Sequence, residues 1–379
     1  MFDAIVLGVG GMGSATVYHL ARRGKRVLGL ERYDIPNAMG SSHGVTRIIR
    51  LAYYEHPTYV PLLRRAYELW RELERGFGEQ LLYITGSIDA GPSGSQCFEG
   101  SRRSCELHAL PHEVLSGAEV NRRFPGYNLP ADLMAVLQPE GGFLLSERCI
   151  VAHVVAAQAL GAEIHARERV LGWEARGDGV RVETDRGAYE AERLVVAAGA
   201  WAGTLVPELQ ALAEPERQVL AWLQPSEPEL FAPERFPVFN LQVDDGRYYG
   251  LPVFSVPGFK LGRYHHFGET GPADAIEREC HPRDEALLRE LAAKYFPKGN
   301  GPTMALRACM FTNSPDEHFI LDLHPLYPQV ALAAGFSGHG YKFCSVVGEI
   351  MADLAESGQT RHDIGLFRLL RFARQPNSG

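Results

Sequence analysis

The hydrophobic period changes twice within the first thirty-one residues. Residues 2–7 carry an apolar run of the kind expected for a buried parallel strand. Met12, Ala15, Leu20 and Ala21 then recur at helical spacing, and this pattern ends near Gly24. A second apolar run, Val27 to Leu30, predicts another strand and ends in Glu31. Between the first strand and the helix lies Gly8-Val9-Gly10-Gly11-Met12-Gly13, which fits G-x-G-x-x-G, with Glu31 eighteen residues beyond the last glycine. In such a βαβ unit each part has a mechanical task. Gly8 allows the tight turn, Gly10 lets a pyrophosphate approach the backbone, and Gly13 lets the helix lie close to the strand. The helix N-terminus offers free N–H groups and a positive dipole end to phosphates. The Glu31 carboxylate can accept hydrogen bonds from a ribose diol. The pattern predicts dinucleotide binding and does not choose between NAD and FAD.

Further along, Tyr59, Leu62, Leu63, Ala66, Leu69, Trp70 and Leu73 share one face of a helix predicted over 57–76, with Gly76 as its terminator. A second helix is predicted over 147–160, followed by Gly161. Alternating runs at 167–175 and 179–184, separated by Gly177-Asp178, predict an antiparallel meander. Residues 193–201 return to the opening pattern of a buried strand ending at a glycine turn. Residues 217–268 alternate and are rich in aromatics and proline, which predicts a different, mostly antiparallel sheet. A strand at 329–334, a glycine-rich loop at 335–340 and a helix at 345–355 close the chain. Nucleotide-type pieces thus stand at the start, middle and end. The expected fold is α/β, with a discontinuous Rossmann-like domain (1–84, 146–216 and 306–379) and an inserted substrate domain (85–145 and 217–305) built on a mixed, mostly antiparallel sheet.

Composition narrows the possibilities. Hydrophobic residues at 45% and charged residues at 22% describe an ordinary globular chain. A net charge of −8 argues against a nucleic-acid partner, which needs a basic face. No apolar stretch approaches the ~20 residues of a membrane span. The N-terminus leads straight into the glycine turn and so does not read as a signal peptide, which predicts a cytoplasmic protein. The six cysteines include no C-x-x-C pair and read as free thiols. Cys97, Cys105, His108 and His112 lack zinc-finger spacing and read as loop residues, so no metal is expected.

The last glycine-rich loop favours FAD over NAD. It sets a second helix N-terminus, with Lys342 at its start, beside the nucleotide unit. A reduced flavin carries negative charge around N1 that such a terminus and nearby cations stabilise. Three further segments are distinctive. They are Ser41-Ser42-His43-Gly44-Val45-Thr46-Arg47-Ile48-Ile49-Arg50, then Ala308-Cys309-Met310-Phe311-Thr312 ahead of Asp316 to Asp322, and Gly335 to Phe343. Together they resemble the monomeric sarcosine oxidase family, whose relatives include N-methyltryptophan oxidase and pipecolate oxidase, over essentially the whole chain.

That resemblance implies a monomer acting on an amino-acid substrate and O₂, with FAD attached covalently through the sulfur of Cys309. It implies FAD contacts at Gly8, Gly10, Gly13, Glu31, Ser42, Gly338, Gly340 and Lys342, and places His43 and Arg47 beside the flavin ring. It sets Arg50 and Lys342 on the substrate carboxylate, which suits a planar guanidinium and a point charge. Arg50 lies in an otherwise apolar run, Ile48 to Ala52, so it is expected to be buried against an anion. Lys260 matches a lysine linked to oxygen activation, and Tyr249 a substrate-site tyrosine. His265 matches a substrate-site histidine, but one extra residue precedes it. Tyr264 and His266 stay open as alternatives, because a one-residue slip in a strand swaps faces. Val45 replaces an expected aspartate, so one polar contact near the flavin is absent or moved. The implied activity is FAD-dependent oxidation of secondary amines such as sarcosine, other N-methyl amino acids or cyclic imino acids, with hydrogen peroxide as product. The alternatives are a noncovalent FAD dehydrogenase using an electron carrier, a nicotinamide dehydrogenase, and a non-catalytic flavin-binding protein.

Overall fold

The computed structural model describes residues 1–373, so the last six positions of the expected 306–379 segment lie outside the described residues. Phe2–Leu7 runs parallel to Val27–Leu30 on one side and to Ala188–Val196 on the other. Its residues Ile5 and Val6 are wholly buried, as expected of a strand covered on both faces. Ala188–Val196 has two partners on its outer side. Its first half pairs antiparallel with Gly179–Thr184, and its second half parallel with Val330–Ala334. The eight-stranded sheet is completed by Val170–Arg176, Glu163–His165 and Ile320–Leu323. Helix Gly11–Arg22 packs one face of this sheet beside helix Cys344–Ser357. A methyl group on Gly348 would lie 2.6 Å from Ala15. Two elements 333 residues apart in sequence are therefore fitted backbone to backbone.

A second eight-stranded sheet has the order Thr303–Asn313, Glu214–Leu223, Phe259–Arg263, Gly246–Leu251, Val238–Val243, Ser87–Gly91, Met134–Gln138, Glu113–Ser116. Every neighbouring pair is antiparallel except Val238–Val243 with Ser87–Gly91. Two of the expected division points, 216/217 and 305/306, fall inside strands of this sheet. Its core is aromatic. Phe231, Phe236, Phe239, Phe259 and Phe296 pack together, with the Phe239 and Phe296 rings 4.6 Å apart. Offset contacts of this kind contribute about 0.5–1.5 kcal/mol each beyond simple burial. A small sheet of Thr46–Ile49, Gly142–Leu145 and Leu82–Ile84 pairs with neither, and packs on the second through Phe143, Leu145, Val238 and Leu251.

Two local expectations are corrected. The predicted 57–76 helix continues through Gly76 to Phe77 and ends at Gly78, whose φ of 76° is the left-handed cap. Both glycines suit a terminator, but only Gly78 places its N–H on the Glu74 carbonyl. Cys97 and Cys105 are on helix Gln96–Leu107 rather than in a loop, and both are buried. Among the described residues no group of three or more His, Cys, Asp or Glu side chains could hold a metal ion, and no helix is long and apolar enough to cross a membrane.

Candidate active site

A long cavity runs from the Gly8 turn, past Glu31 and Ser42, to Cys309, Lys260 and the Gly338–Lys342 segment. At its first end the glycines divide the work as their spacing suggests. Gly8 has φ 87°, and a Cβ there would meet the Ala197 carbonyl at 2.6 Å. A Cβ on Gly13 would lie 1.7 Å from the Gly8 carbonyl, so helix and strand touch at that point. At Gly10 the nearest protein atom to a Cβ would be Ser42 Oγ, 4.0 Å away. No protein neighbour forbids a side chain at position 10, yet its bare backbone faces the cavity, as a pyrophosphate cradle requires. Glu31 accepts the N–H groups of Val9 and Tyr33, both at 3.0 Å. Burial raises its carboxyl pKa and the two N–H groups oppose the shift. Ser42 Oγ accepts the Gly11 N–H. Three residues not singled out from the sequence also line this end: Arg32 pairs with Asp274 at 2.8 Å, and Trp201 donates to the same carboxylate.

In the middle of the cavity Cys309 lies on the edge strand Thr303–Asn313, opposite Gln218. Burial raises the thiol pKa, but the nearby charges of His43 and Arg47 outweigh it and leave the value at about 6. Arg47 Nη2 lies 3.6 Å from the sulfur and also donates to the Ser41 carbonyl. His43 Nε2 and Thr312 Oγ1 are buried with no hydrogen-bond partner among the described residues. Thr312 lines the cavity. Lys260 is buried rather than turned to solvent. Its Nζ donates to the carbonyls of Gly44 and Thr46 at 2.8 and 2.6 Å and lies near Thr46 Oγ1 at 3.4 Å. Burial pulls its pKa well below that of an ordinary lysine. Val45 takes φ 70°, an outlier for a β-branched residue. A carboxylate reaches this loop from a helix. Glu147, in the first turn of helix Ser146–Ala159, accepts the N–H groups of Gly44 and Val45 at 2.7 and 3.0 Å.

At the far end Lys342 is buried, donates to the His339 carbonyl at 2.7 Å, and lines the cavity. Burial and then the Arg50 charge lower its pKa to about 7. The Gly340 loop enters the terminal helix through a 3₁₀ turn, Tyr341–Phe343, so Lys342 precedes the α-helix by two residues. Gly338 has φ 75°, and a side chain there would strike the Phe311 ring at 2.4 Å. Tyr249 lines the cavity, with its ring edge-on to Tyr264 at 5.2 Å. Arg50 is buried against anions as expected, but the anions are the protein's own. Its Nη2 binds both Glu55 oxygens at 2.9 and 2.8 Å, and Asp89 is 3.7 Å from Nε. The Tyr53 and Tyr54 rings cover the guanidinium at 4.4 and 4.2 Å. Glu55 could have been suspected from its position five residues after Arg50, whereas Asp89 comes from another sheet and left no local signal. The three residues left open after Arg263 fall on a turn. The strand ends at Arg263, and Tyr264 faces the cavity. His265 points away to Glu216 and Glu317 at 2.8 and 3.0 Å, and His266 is buried on Asp284 at 2.9 Å.

Residues 3–354 match the family model described as FAD dependent oxidoreductase. The chain belongs to that family. It is 42% identical over 377 residues to monomeric sarcosine oxidase from Bacillus sp. strain NS-129, covering 98% of this chain and 97% of the relative. It is 35% identical to N-methyl-L-tryptophan oxidase from Yersinia pestis strain Pestoides F, covering 98% and 99% of the two chains. Among solved structures it resembles NikD, an amino acid oxidase of nikkomycin biosynthesis, with TM-score 0.82 at 27% identity and 97% of each chain covered. L-proline dehydrogenase from P. horikoshii shares the fold, with TM-score 0.84 at 22% identity and 98% of each chain covered. The expected fold holds: a Rossmann-like FAD unit joined to a mixed sheet. As a member of this oxidoreductase family the chain is an FAD-dependent amine oxidase. The bare Gly10 backbone, the buried Glu31 carboxylate and the unpartnered Thr312 hydroxyl fit a bound FAD.

Proposed function

We propose that the chain oxidises secondary amines of small amino acids, namely sarcosine, other N-methyl amino acids or cyclic imino acids, with O₂ as the electron acceptor. The observation that carries this reading is the meeting of two features in one cavity: the Cys309 sulfur 3.6 Å from Arg47 Nη2, and the buried Lys342 side chain. The FAD would lie along Gly8, Gly10, Gly13, Glu31 and Ser42, with Gly338 and Gly340 at its flavin end and Cys309 as its covalent anchor. When bound, FAD supplies a two-electron acceptor and returns the pair to O₂ as hydrogen peroxide. The protein's own part is to bind, orient and exclude water. Arg50 and Lys342 hold the substrate carboxylate, and because Arg50 already carries Glu55, that binding is an exchange of one carboxylate for another. The Arg47 guanidinium and burial in the cavity disfavour a protonated amine, so the bound substrate keeps its nitrogen electron pair. Lys260 serves the oxygen step as a fixed charge. In this reading the sheet around Phe2–Leu7 carries FAD, the sheet around Gly246–Leu251 carries the substrate, and the protein is a cytoplasmic monomer.

The test is a peroxide assay of the flavinated enzyme with sarcosine, N-methylalanine, proline and pipecolate. Stoichiometric peroxide with at least one of them is expected. Flavin reduction without aerobic peroxide would replace the oxidase reading with a dehydrogenase, and an unbleached flavin under anaerobic substrate would overturn the substrate class.

A further inference from the structure

The turn that follows Arg263 has an uncommon backbone. His265 and His266 have φ of 59° and 23°, in the left-handed region where glycine is usual. Non-glycine residues persist there only when the surroundings over-determine them, and such places concentrate at functional sites. Here the surroundings are three carboxylates. His265 bridges Glu216 and Glu317, and His266 is fixed on Asp284, itself held by both Nη atoms of Arg217 at 2.8 and 2.9 Å. All of this aims one side chain into the cavity. Tyr264 is tied back through its N–H to the Arg247 carbonyl at 2.8 Å. The Arg247 guanidinium lies 4.1 Å from the Tyr264 ring centroid, and Tyr249 and Phe311 abut the ring at 5.2 and 5.8 Å. Its hydroxyl makes a long contact, 3.4 Å, to Asn240 Oδ1. The ring, more than the hydroxyl, is what the turn presents.

We propose that Tyr264 is a specificity-determining residue, a wall that limits the substrate to small side chains, and that His265 and His266 are the positioning residues that hold it. The inference rests on the reading of the Lys342 end as the carboxylate compartment. Removing the ring opens a space the size of a phenyl group, floored by the same Arg247 guanidinium that now supports Tyr264. A phenyl-bearing carboxylate can fill that space and regain the cation–π contact.

The test uses flavinated enzyme, with acetate and phenylacetate titrated against the flavin absorbance. Tyr264→Ala should tighten phenylacetate at least about tenfold relative to acetate, on the scale by which pocket size discriminates ligands. Tyr264→Leu should move the ratio the same way by less, and serves in place of the alanine variant if that one does not retain flavin. Tyr264→Phe should keep the wild-type ratio. His265→Gln, which leaves the cavity lining intact, should shift the ratio toward phenylacetate, an effect a purely structural histidine would not produce. A ratio unchanged in both Tyr264→Ala and Tyr264→Leu, or shifted equally in Tyr264→Phe, overturns the proposal. A wild-type flavin that does not respond to acetate overturns the compartment reading and this inference with it, whereas a wild-type response with an unaltered ratio in the variants overturns this inference alone.

Discussion

Replacing Arg50 with methionine removes a guanidinium that is at once a structural ion and a proposed substrate ligand. The side chains of its two partners, Glu55 and Asp89, are 8% and 0% exposed. Breaking a buried ion pair by deleting one member costs about 3–5 kcal/mol, because a charge stays behind without compensation. With an unfolding entropy of ~2.1 cal/mol/K per residue, the whole chain melts with ~0.8 kcal/mol/K, so the melting temperature should fall by about 4–6 °C. Burial alone would raise the Glu55 pKa, but Arg50 and the neighbouring cations hold it at about 2. A depressed carboxylate contributes stability above its unfolded pKa and loses it as pH falls through its folded value. The wild type should therefore lose this stability between the ordinary carboxylate range and pH about 2, and Arg50→Met should lack most of that dependence. Acetate binding, followed by flavin absorbance, should weaken by about 2–5 kcal/mol in the same variant. The double variant Arg50→Met/Glu55→Gln separates the two roles. It removes the orphaned charge, so more than half of the lost melting temperature should return, while acetate binding stays lost. Recovery of acetate binding in the double variant would refute Arg50 as the carboxylate ligand. A single variant that melts within about 1 °C of wild type would refute the ion-pair argument.

Three other outcomes are expected. Acid precipitation should leave a yellow pellet from wild type and a colourless one from Cys309→Ala; with apoprotein and added FAD, attachment should accelerate as pH rises through about 6, where the thiolate forms, and level off above it. Lys260→Met should slow reoxidation of reduced flavin by O₂ by about 10²–10³-fold in stopped flow, while anaerobic reduction by the amine changes far less; equal slowing of both half-reactions would assign Lys260 to substrate binding or structure. Lys342 is lowered to about 7, so acetate affinity should fall as pH rises through that value and the ammonium is lost, and a pH-independent affinity from 6 to about 9 would remove Lys342 from the clamp.

What could be read from the chain followed local periodicity. Phe2 to Glu31 announced a βαβ unit because strand, turn and helix each leave a short-range pattern, and Gly8 and Gly13 are demanded by contacts within that unit. The alternation through 217–268 marked the second sheet for the same reason. Local patterns do not identify what meets a buried charge. The run Ile48 to Ala52 signalled that Arg50 is buried with an anion, but Asp89 reaches it only through the order of the second sheet. Tyr264 and His265 could not be ranked, because extending the strand by alternation assumes that it continues. It stops at Arg263, and the following histidines adopt left-handed backbone that their residue type does not advertise. The Glu147 carboxylate that accepts the Gly44 N–H was likewise hidden, being one acid among many in the chain and more than a hundred positions away.

The contact between Ala15 and Gly348 has a consequence for biosynthesis. Helix Gly11–Arg22 leaves the ribosome more than three hundred residues ahead of its partner, Cys344–Ser357. The strand that lies beside the second half of Ala188–Val196, at Val330–Ala334, emerges barely earlier. At ~5–20 residues per second, the amino-terminal βαβ unit waits roughly 15–70 s for the elements that close it. The glycine turn is thus exposed long before Val330–Ala334 and Cys344–Ser357 reach it, so the closed cavity forms only after their synthesis.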